Sequence, residues 1–397
     1  MKIKPVHATV GVATYHYSYN EGAILQAYAT TEVLNSLSGV KGEIIDQRYP
    51  EKLRMYGEPD DDRKLALLQS IDQWLPLSQQ QFRLSDLNPV YEYINSNYDK
   101  LIIGSDVVWN LKYKRYLRRF IPQGVFPRQA YPFFTPFPNI YWPSRKLEVP
   151  VYSYAAAIGT LEYKWIPNAD RKRIKQSLQL FDIITVRDER TRRFVEFIDA
   201  QLSDQVVVVP DPTFGIDLDV SNIDILKEKL AGWGVDFSKP VCCFITSDHP
   251  ALQKFANLLR RKGYQIVSLS TKNRLGDVDL FDKFITPQEW SVIFSLFDSC
   301  ITERMHGAIF CLKNFVSFIA LDINETTTDN DSKMVSLMRQ FGKEGFVLPK
   351  SHLNVDSLNR LYTDLMSDKG GYMDSVSKFL PSARTTVRDT IERMVQA

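Results

Sequence analysis

The string DSCITERMHGAIF, Asp298 to Phe310, sets Arg304 and His306 two positions apart, where a strand ending near Thr302 gives way to a helix opening near Met305. An imidazole passes protons near neutral pH, and a guanidinium grips carboxylate or phosphate through a planar fork. The free amides of His306 and Gly307 at the helix start also favour an anion. Together these groups suit acid catalysis on a small anionic ligand. The competing reading is structural: a histidine that caps or packs at a helix start, with Arg304 bridging to a nearby carboxylate.

Other polar groups fall at similar strand ends. In GSDVVWN, Ser105 and Asp106 follow the KLII strand, with Trp109 three residues on; Asp106 reads equally as a turn residue. In TVRDERTRRF, Arg187 ends a strand and Asp188 suits a helix N-cap, the alternative for Arg187 being an ion pair with Asp188 or Glu189. In SYNEGAILQAYA, Asn20 suits a cap, and Gly22 and Ala23 allow close backbone approach. The edges that carry Arg304 and His306, Ser105 and Asp106, and Arg187 together point to a polar, anion-accepting cleft. Neither GxGxxG nor GxxxxGK[ST] occurs, and no Cys/His spacing suits a metal, so none is expected. His7, His16 and His352 read as surface or packing residues, and His249, before Pro250, as a helix cap.

The elements that must position these residues alternate short β-branched runs with longer helical patterns, the signature of parallel βαβ units. Strands are expected at Val6 to Thr14, Glu43 to Asp46, Lys100 to Gly104, Val151 to Ala157, Ile183 to Val186 and Val206 to Val209. A second series follows at Val241 to Ile245, Tyr264 to Leu269, Cys300 to Thr302 and Phe315 to Leu321. PDPTFGIDLDVSN, between Val209 and Asn222, has a linker's composition. The expected domains are residues 1–212, on the acceptor side, residues 213–374, carrying the Arg304/His306 string, and a helix at 375–397 that could return to the first domain.

Residues 110–146 break this pattern. They hold eight Lys and Arg, among them Arg118 and Arg119, no acidic residue, six prolines and several aromatics. Such a segment is either a solvated insertion pinned by its aromatics or a surface for an anionic, sugar-bearing or lipid-linked acceptor.

The chain has 397 residues, 44% hydrophobic and 24% charged, enough for two globular cores. A formal charge of +2 gives no global attraction to nucleic acid or to an anionic membrane, so no nucleic-acid partner is expected. Four cysteines fit a reduced, cytoplasmic setting, and no apolar run approaches a spanning helix.

In order along the chain, these strings resemble the polysaccharide pyruvyl transferase family. Its members carry Asn-x-Gly-Ala-x-x-Gln-Ala, Gly-Ser-Asp-x-x-Trp-Asn, Ser-Tyr-Ala-Ala, Val-Arg-Asp/Glu, Asp-Pro-Thr and Thr-x-x-x-His-Gly boxes. The matching positions are Asn20, Gly22, Ala23, Gln26 and Ala27; Gly104, Ser105, Asp106, Trp109 and Asn110; Ser153 to Ala156; Val186 and Arg187; Asp211 to Thr213; and Thr302, His306 and Gly307. One departure is Val107, where many members carry Gln.

The resemblance implies an α/β fold of two Rossmann-like domains in a GT-B-like arrangement, with the site in the cleft. It also implies transfer of the carbon skeleton of phosphoenolpyruvate to two hydroxyls of a sugar, giving a cyclic pyruvate ketal and phosphate. His306 is then the expected acid, Arg304 and Arg187 the donor clamps, and Asp106 the base; Gly307, Ser105 and Asn20 would line the donor, and Arg118, Arg119 and Trp109 the acceptor. No cofactor beyond the donor is expected. The partner is a glycan or lipid-linked saccharide met in the cytoplasm, at the inner membrane face if it is lipid-linked. Two other classes remain open: a nucleotide-sugar glycosyltransferase with Arg304 on a diphosphate, and a non-catalytic glycan or RNA binder using the basic insertion.

Overall fold

The computed structural model describes residues 8–49, 57–83, 87–111, 137–323 and 332–397. Arg118 and Arg119 lie outside the described residues, as does His7. Seven strands form a first sheet: β1 (Ala8–Ala13), β2 (Val40–Arg48), β3 (Leu77–Arg83), β4 (Lys100–Ile103), β5 (Val151–Ala156), β6 (Ile183–Val186) and β7 (Val206–Val208). Six form a second: β8 (Val241–Ile245), β9 (Gln265–Ser268), β10 (Val278–Asp279), β11 (Ser299–Thr302), β12 (Phe318–Asp322) and β13 (Val347–Pro349). Every pairing between these strands is parallel. Parallel strands covered by helices on both faces lose the polar alternation of a half-exposed strand, and β5, β8 and β12 are buried at every residue. The molecule is α/β, with two Rossmann-like units.

The first sheet runs β3-β2-β1-β4-β5-β6-β7 and the second β10-β9-β8-β11-β12-β13. Each order reverses once, between β1 and β4 and between β8 and β11. At such a reversal the loops leaving neighbouring strands diverge to opposite faces and open a crevice at the carboxyl ends. The chain leaves β1 towards Asn20, β4 towards Ser105 and Asp106, and β11 towards Arg304 and His306.

The segment with a linker's composition is not a solvated tether. Asp211, Pro212, Thr213 and Phe214 are buried, and Pro212–Gly215 forms a 3-10 turn between two helices. A Cβ on Gly215 would come within 2.7 Å of Val387 and 2.8 Å of Val33, so the turn is squeezed by the final helix on one side and the Glu21–Ser36 helix on the other. That final helix spans Lys369–Gln396, opening six residues before the expected 375 and running on through Pro381. Arg384 ties it to Asp217 with bonds of 2.6 and 2.7 Å. At the end of the basic segment, Ile140, Tyr141 and Trp142 are buried in the first unit's core.

Candidate active site

The two helices that open at the reversals meet end to end. Asn20 caps the Glu21–Ser36 helix, its side chain accepting from Gly22 N at 3.1 Å. Across the cleft, Arg304 occupies the N-cap of the Met305–Lys313 helix. The His306 ring lies so close over Gly22 that a Cβ at that position would fall inside it. A Cβ on Gly307 would overlap the Thr302 hydroxyl, so glycine lets this helix start press onto its own sheet.

Behind His306 stands a chain of alternating charge. Its Nε2 is buried, 3.6 Å from Asp211 Oδ2, with no hydrogen-bond partner. That same Oδ2 accepts from Arg187 Nη1 at 3.0 Å, and Arg187 Nη2 donates to Asp106 Oδ1 at 3.2 Å. Asp211 Oδ1 accepts from the Thr213 amide at 3.1 Å and its hydroxyl at 2.7 Å. Burial alone would raise the Asp211 pKa; His306, Arg187 and Thr213 outweigh it and hold the carboxyl well below its ordinary value. Burial likewise opposes ionisation of Asp106, and the charges of Arg187, His306 and Lys333 overcome it and lower its pKa. Asp106 has φ 69°, the left-handed region that aspartate tolerates better than most, and its carbonyl accepts from Ala157 N at 2.9 Å.

Lys313, at the far end of the His306 helix, donates to the carbonyls of Thr213 and Ile216. One helix thus carries His306 at one end and grips the Asp211 turn with the other, which sets the imidazole and carboxylate in register.

Arg304 is partly neutralised. Its Nη1 donates to Glu21 Oε2 at 3.1 Å, while Arg63 Nε donates to Glu21 Oε1 at 2.8 Å. Burial works against the Glu21 carboxylate, but these two guanidiniums bring its pKa below the usual value. The carboxylate bridge weighed for Arg304 therefore exists, yet the side chain stays 29% exposed. Beside it opens a small recess lined in part by Asp188, Glu303, Asp322 and Lys333.

The expected site residues are not all open to a ligand. His306, Arg304 and Asp106 gather at the cleft with the starts of both helices. Arg187, expected to clamp the donor and otherwise to pair with Asp188 or Glu189, has a side chain only 1% exposed and is held by Asp106 and Asp211. Asp188 instead caps its helix, accepting from Thr191 N at 2.8 Å. Ser105 is fully buried and donates to Gln26 Oε1 at 2.8 Å. Trp109, expected at the acceptor, is in the core: it stacks on Trp142 with centroids 5.5 Å apart, and its Nε1 donates to the Tyr141 carbonyl. His16 is buried, with Nε2 3.1 Å from Asp46 Oδ1; His249 caps a helix as expected, and His352 is exposed. Among the described residues no cluster of three His, Cys, Asp or Glu is placed to hold a metal. No helix among them is long and apolar enough to cross a membrane.

Three residues of this junction received no role from the sequence. Asp211 was absorbed into the linker, although its Asp-Pro-Thr string was a usable signal. Glu21 falls at the unspecified position of the Asn-x-Gly-Ala box, and Lys333 lies in no motif.

Comparison with known proteins bears on both fold and chemistry. A family model described as polysaccharide pyruvyl transferase matches residues 20–325. No curated protein matches the chain. Among solved structures, UDP-GlcNAc 2-epimerase from Neisseria meningitidis, bound to UDP-GlcNAc, is similar with TM-score 0.56 and 10% identity, over 98% of this chain and 99% of that one. The S. aureus MnaA complex with UDP gives TM-score 0.56 and 8% identity, over 97% and 95% of the two chains. Anabaena HepE in complex with UDP gives TM-score 0.50 and 9% identity, over 98% of each. At such identities the likeness is one of fold, the two-domain GT-B-like arrangement.

Proposed function

The chain belongs to the polysaccharide pyruvyl transferase family, and from that premise we propose that it moves the pyruvyl skeleton of phosphoenolpyruvate onto two hydroxyls of one sugar, forming a cyclic ketal and releasing phosphate. The observation that carries this reading is the imidazole of His306, fixed over Gly22 and backed by Asp211, with Arg304 two residues away at the mouth of the cleft.

Phosphoenolpyruvate becomes electrophilic at C2 when its methylene C3 takes a proton. His306, with the Asp211 carboxylate behind its ring, supplies that proton; a positioned acid of this kind is worth about 10² to 10⁴ in rate. Arg304 receives the donor carboxylate, its guanidinium oriented by Glu21. Asp106, ionised beside Arg187, takes the proton of the attacking hydroxyl. Arg187 positions Asp106 and Asp211 rather than touching the donor. After the first C2–O bond forms, the second hydroxyl replaces phosphate. Of the two protons the sugar gives up, one balances the proton delivered to C3 and the other leaves on phosphate, so the scheme closes with no cofactor beyond the donor. The acceptor is a saccharide, free or lipid-linked.

The test incubates purified protein with phosphoenolpyruvate and a panel of free and lipid-linked saccharides. Mass spectrometry is expected to find an acceptor heavier by one pyruvate less one water, with phosphate released in equal amount. His306→Gln is expected to slow this by about 10² to 10⁴; wild-type phosphate release by that variant contradicts the acid role. Thermal stabilisation by UDP and none by phosphoenolpyruvate would favour a nucleotide-sugar transferase instead.

A further inference from the structure

We propose that Lys333 receives the phosphoryl group of the donor, in the recess beside Asp322 and the Gly159 and Thr160 loop, while Arg304 keeps the carboxylate. The identity of the ligand rests on the pyruvyl-transfer reading; the site itself rests on how charge is shared across the cleft.

Arg187 serves two carboxylates, Asp106 and Asp211, so its charge is already committed and is not open to a further anion. Arg304 and Arg63 share one carboxylate, Glu21, and leave a surplus of one positive charge. Lys333 has no carboxylate within ion-pair distance among the described residues, although it opens the Lys333–Gln340 helix at the wall of the recess. The other charged groups lining that recess have partners of their own: Asp188 caps its helix through Thr191, Glu303 Oε1 accepts from the Ser247 hydroxyl at 2.7 Å, Asp322 is likewise partnered, and Arg190 donates to the carbonyls of Gly159 and Leu161. Two cationic places therefore remain for a ligand with two anionic ends. The one held by Glu21 is a planar fork suited to a carboxylate; the other is a mobile ammonium suited to a tetrahedral phosphoryl group. Burial and the Arg187 charge both lower the Lys333 pKa, a penalty that an adjacent dianion relieves.

The assignment also places the cation where the reaction needs it. When the C2–O bond to phosphate breaks, its electron pair goes to the phosphate oxygen, and the ammonium stabilises that charge as it forms. The proton from the second sugar hydroxyl then neutralises the departing phosphate.

The experiment compares wild type, Lys333→Met and Lys333→Arg, each checked for folding by its melting temperature. Binding of inorganic phosphate and of pyruvate is measured by calorimetry, and KM and kcat for phosphoenolpyruvate are measured with a responsive acceptor. Lys333→Met is expected to weaken phosphate binding and to lower kcat/KM by about 10- to 100-fold, with pyruvate affinity unchanged and substantial rescue in Lys333→Arg. Phosphate binding equal to wild type in Lys333→Met, no phosphate binding in the wild type, or equal loss of pyruvate and phosphate affinity overturns the assignment. A wild type that binds phosphate through Lys333 but turns over no phosphoenolpyruvate would count against the pyruvyl-transfer reading alone.

Discussion

Removing the Asp211 charge while keeping its shape, as Asp211→Asn does, leaves Arg187 with Asp106 alone and turns His306 towards an amide. Breaking one partner of a buried ion pair destabilises by about 3 to 5 kcal/mol, and a loss near the lower end is expected because Arg187 keeps its second carboxylate. The folded pKa of Asp211 lies below its unfolded value, so this stabilisation is complete above about pH 4 and fades as the pH falls towards the folded value. Denaturation across pH should thus show a gap between wild type and variant that is flat from about pH 5 to 8 and narrows in acid. A gap that widens in acid contradicts the charge chain. His306 and Arg304 were legible because they sit two apart in one turn. The true setting of Arg187 was not, since its partners stand 81 and 24 positions away and no local spacing reveals them.

At the scale of elements, the closeness of two helix starts is the feature that substitution can probe. Gly22→Ala puts a methyl where the His306 ring lies, so the ring or the helix must move. A loss of about 1 to 3 kcal/mol is expected, with activity falling towards that of His306→Gln. Gly232, exposed at the end of the Ile223–Gly232 helix with nothing within 4 Å of a Cβ, is the contrast. There Gly→Ala should stabilise by about 0.4 to 1 kcal/mol and leave activity unchanged, as thermal melts and turnover would read. The apolar strands, from KLII to VCCFI, were legible because a twice-covered strand is written in aliphatic residues. β3 was not: LSQQQFR lies at a sheet edge with four exposed residues, and its polar sequence resembles a loop. The final helix opens earlier than its sequence suggests, because Gly370 and Gly371 in its first turn are poor helix formers.

For the whole molecule, the final helix and the Asp211 turn couple the two sheets. Ile391 is fully buried in that helix, and Ile391→Ala is expected to cost about 2 to 5 kcal/mol, whereas Arg384→Ala, at the exposed pair with Asp217, should have little effect on the melting temperature. Two Rossmann-like units could be inferred from the succession of strands. How their reversals face one another could not, because no string of residues encodes a contact such as Gly22 with His306. The central claim is that this junction delivers a proton to the methylene carbon of an enol phosphate. The most direct measurement is turnover in deuterium oxide, with the product followed by NMR. The account predicts one deuterium in the ketal methyl group and a rate of incorporation lowered by about 10² to 10⁴ in His306→Gln. Wild-type incorporation by that variant, or a ketal methyl free of deuterium, would contradict it.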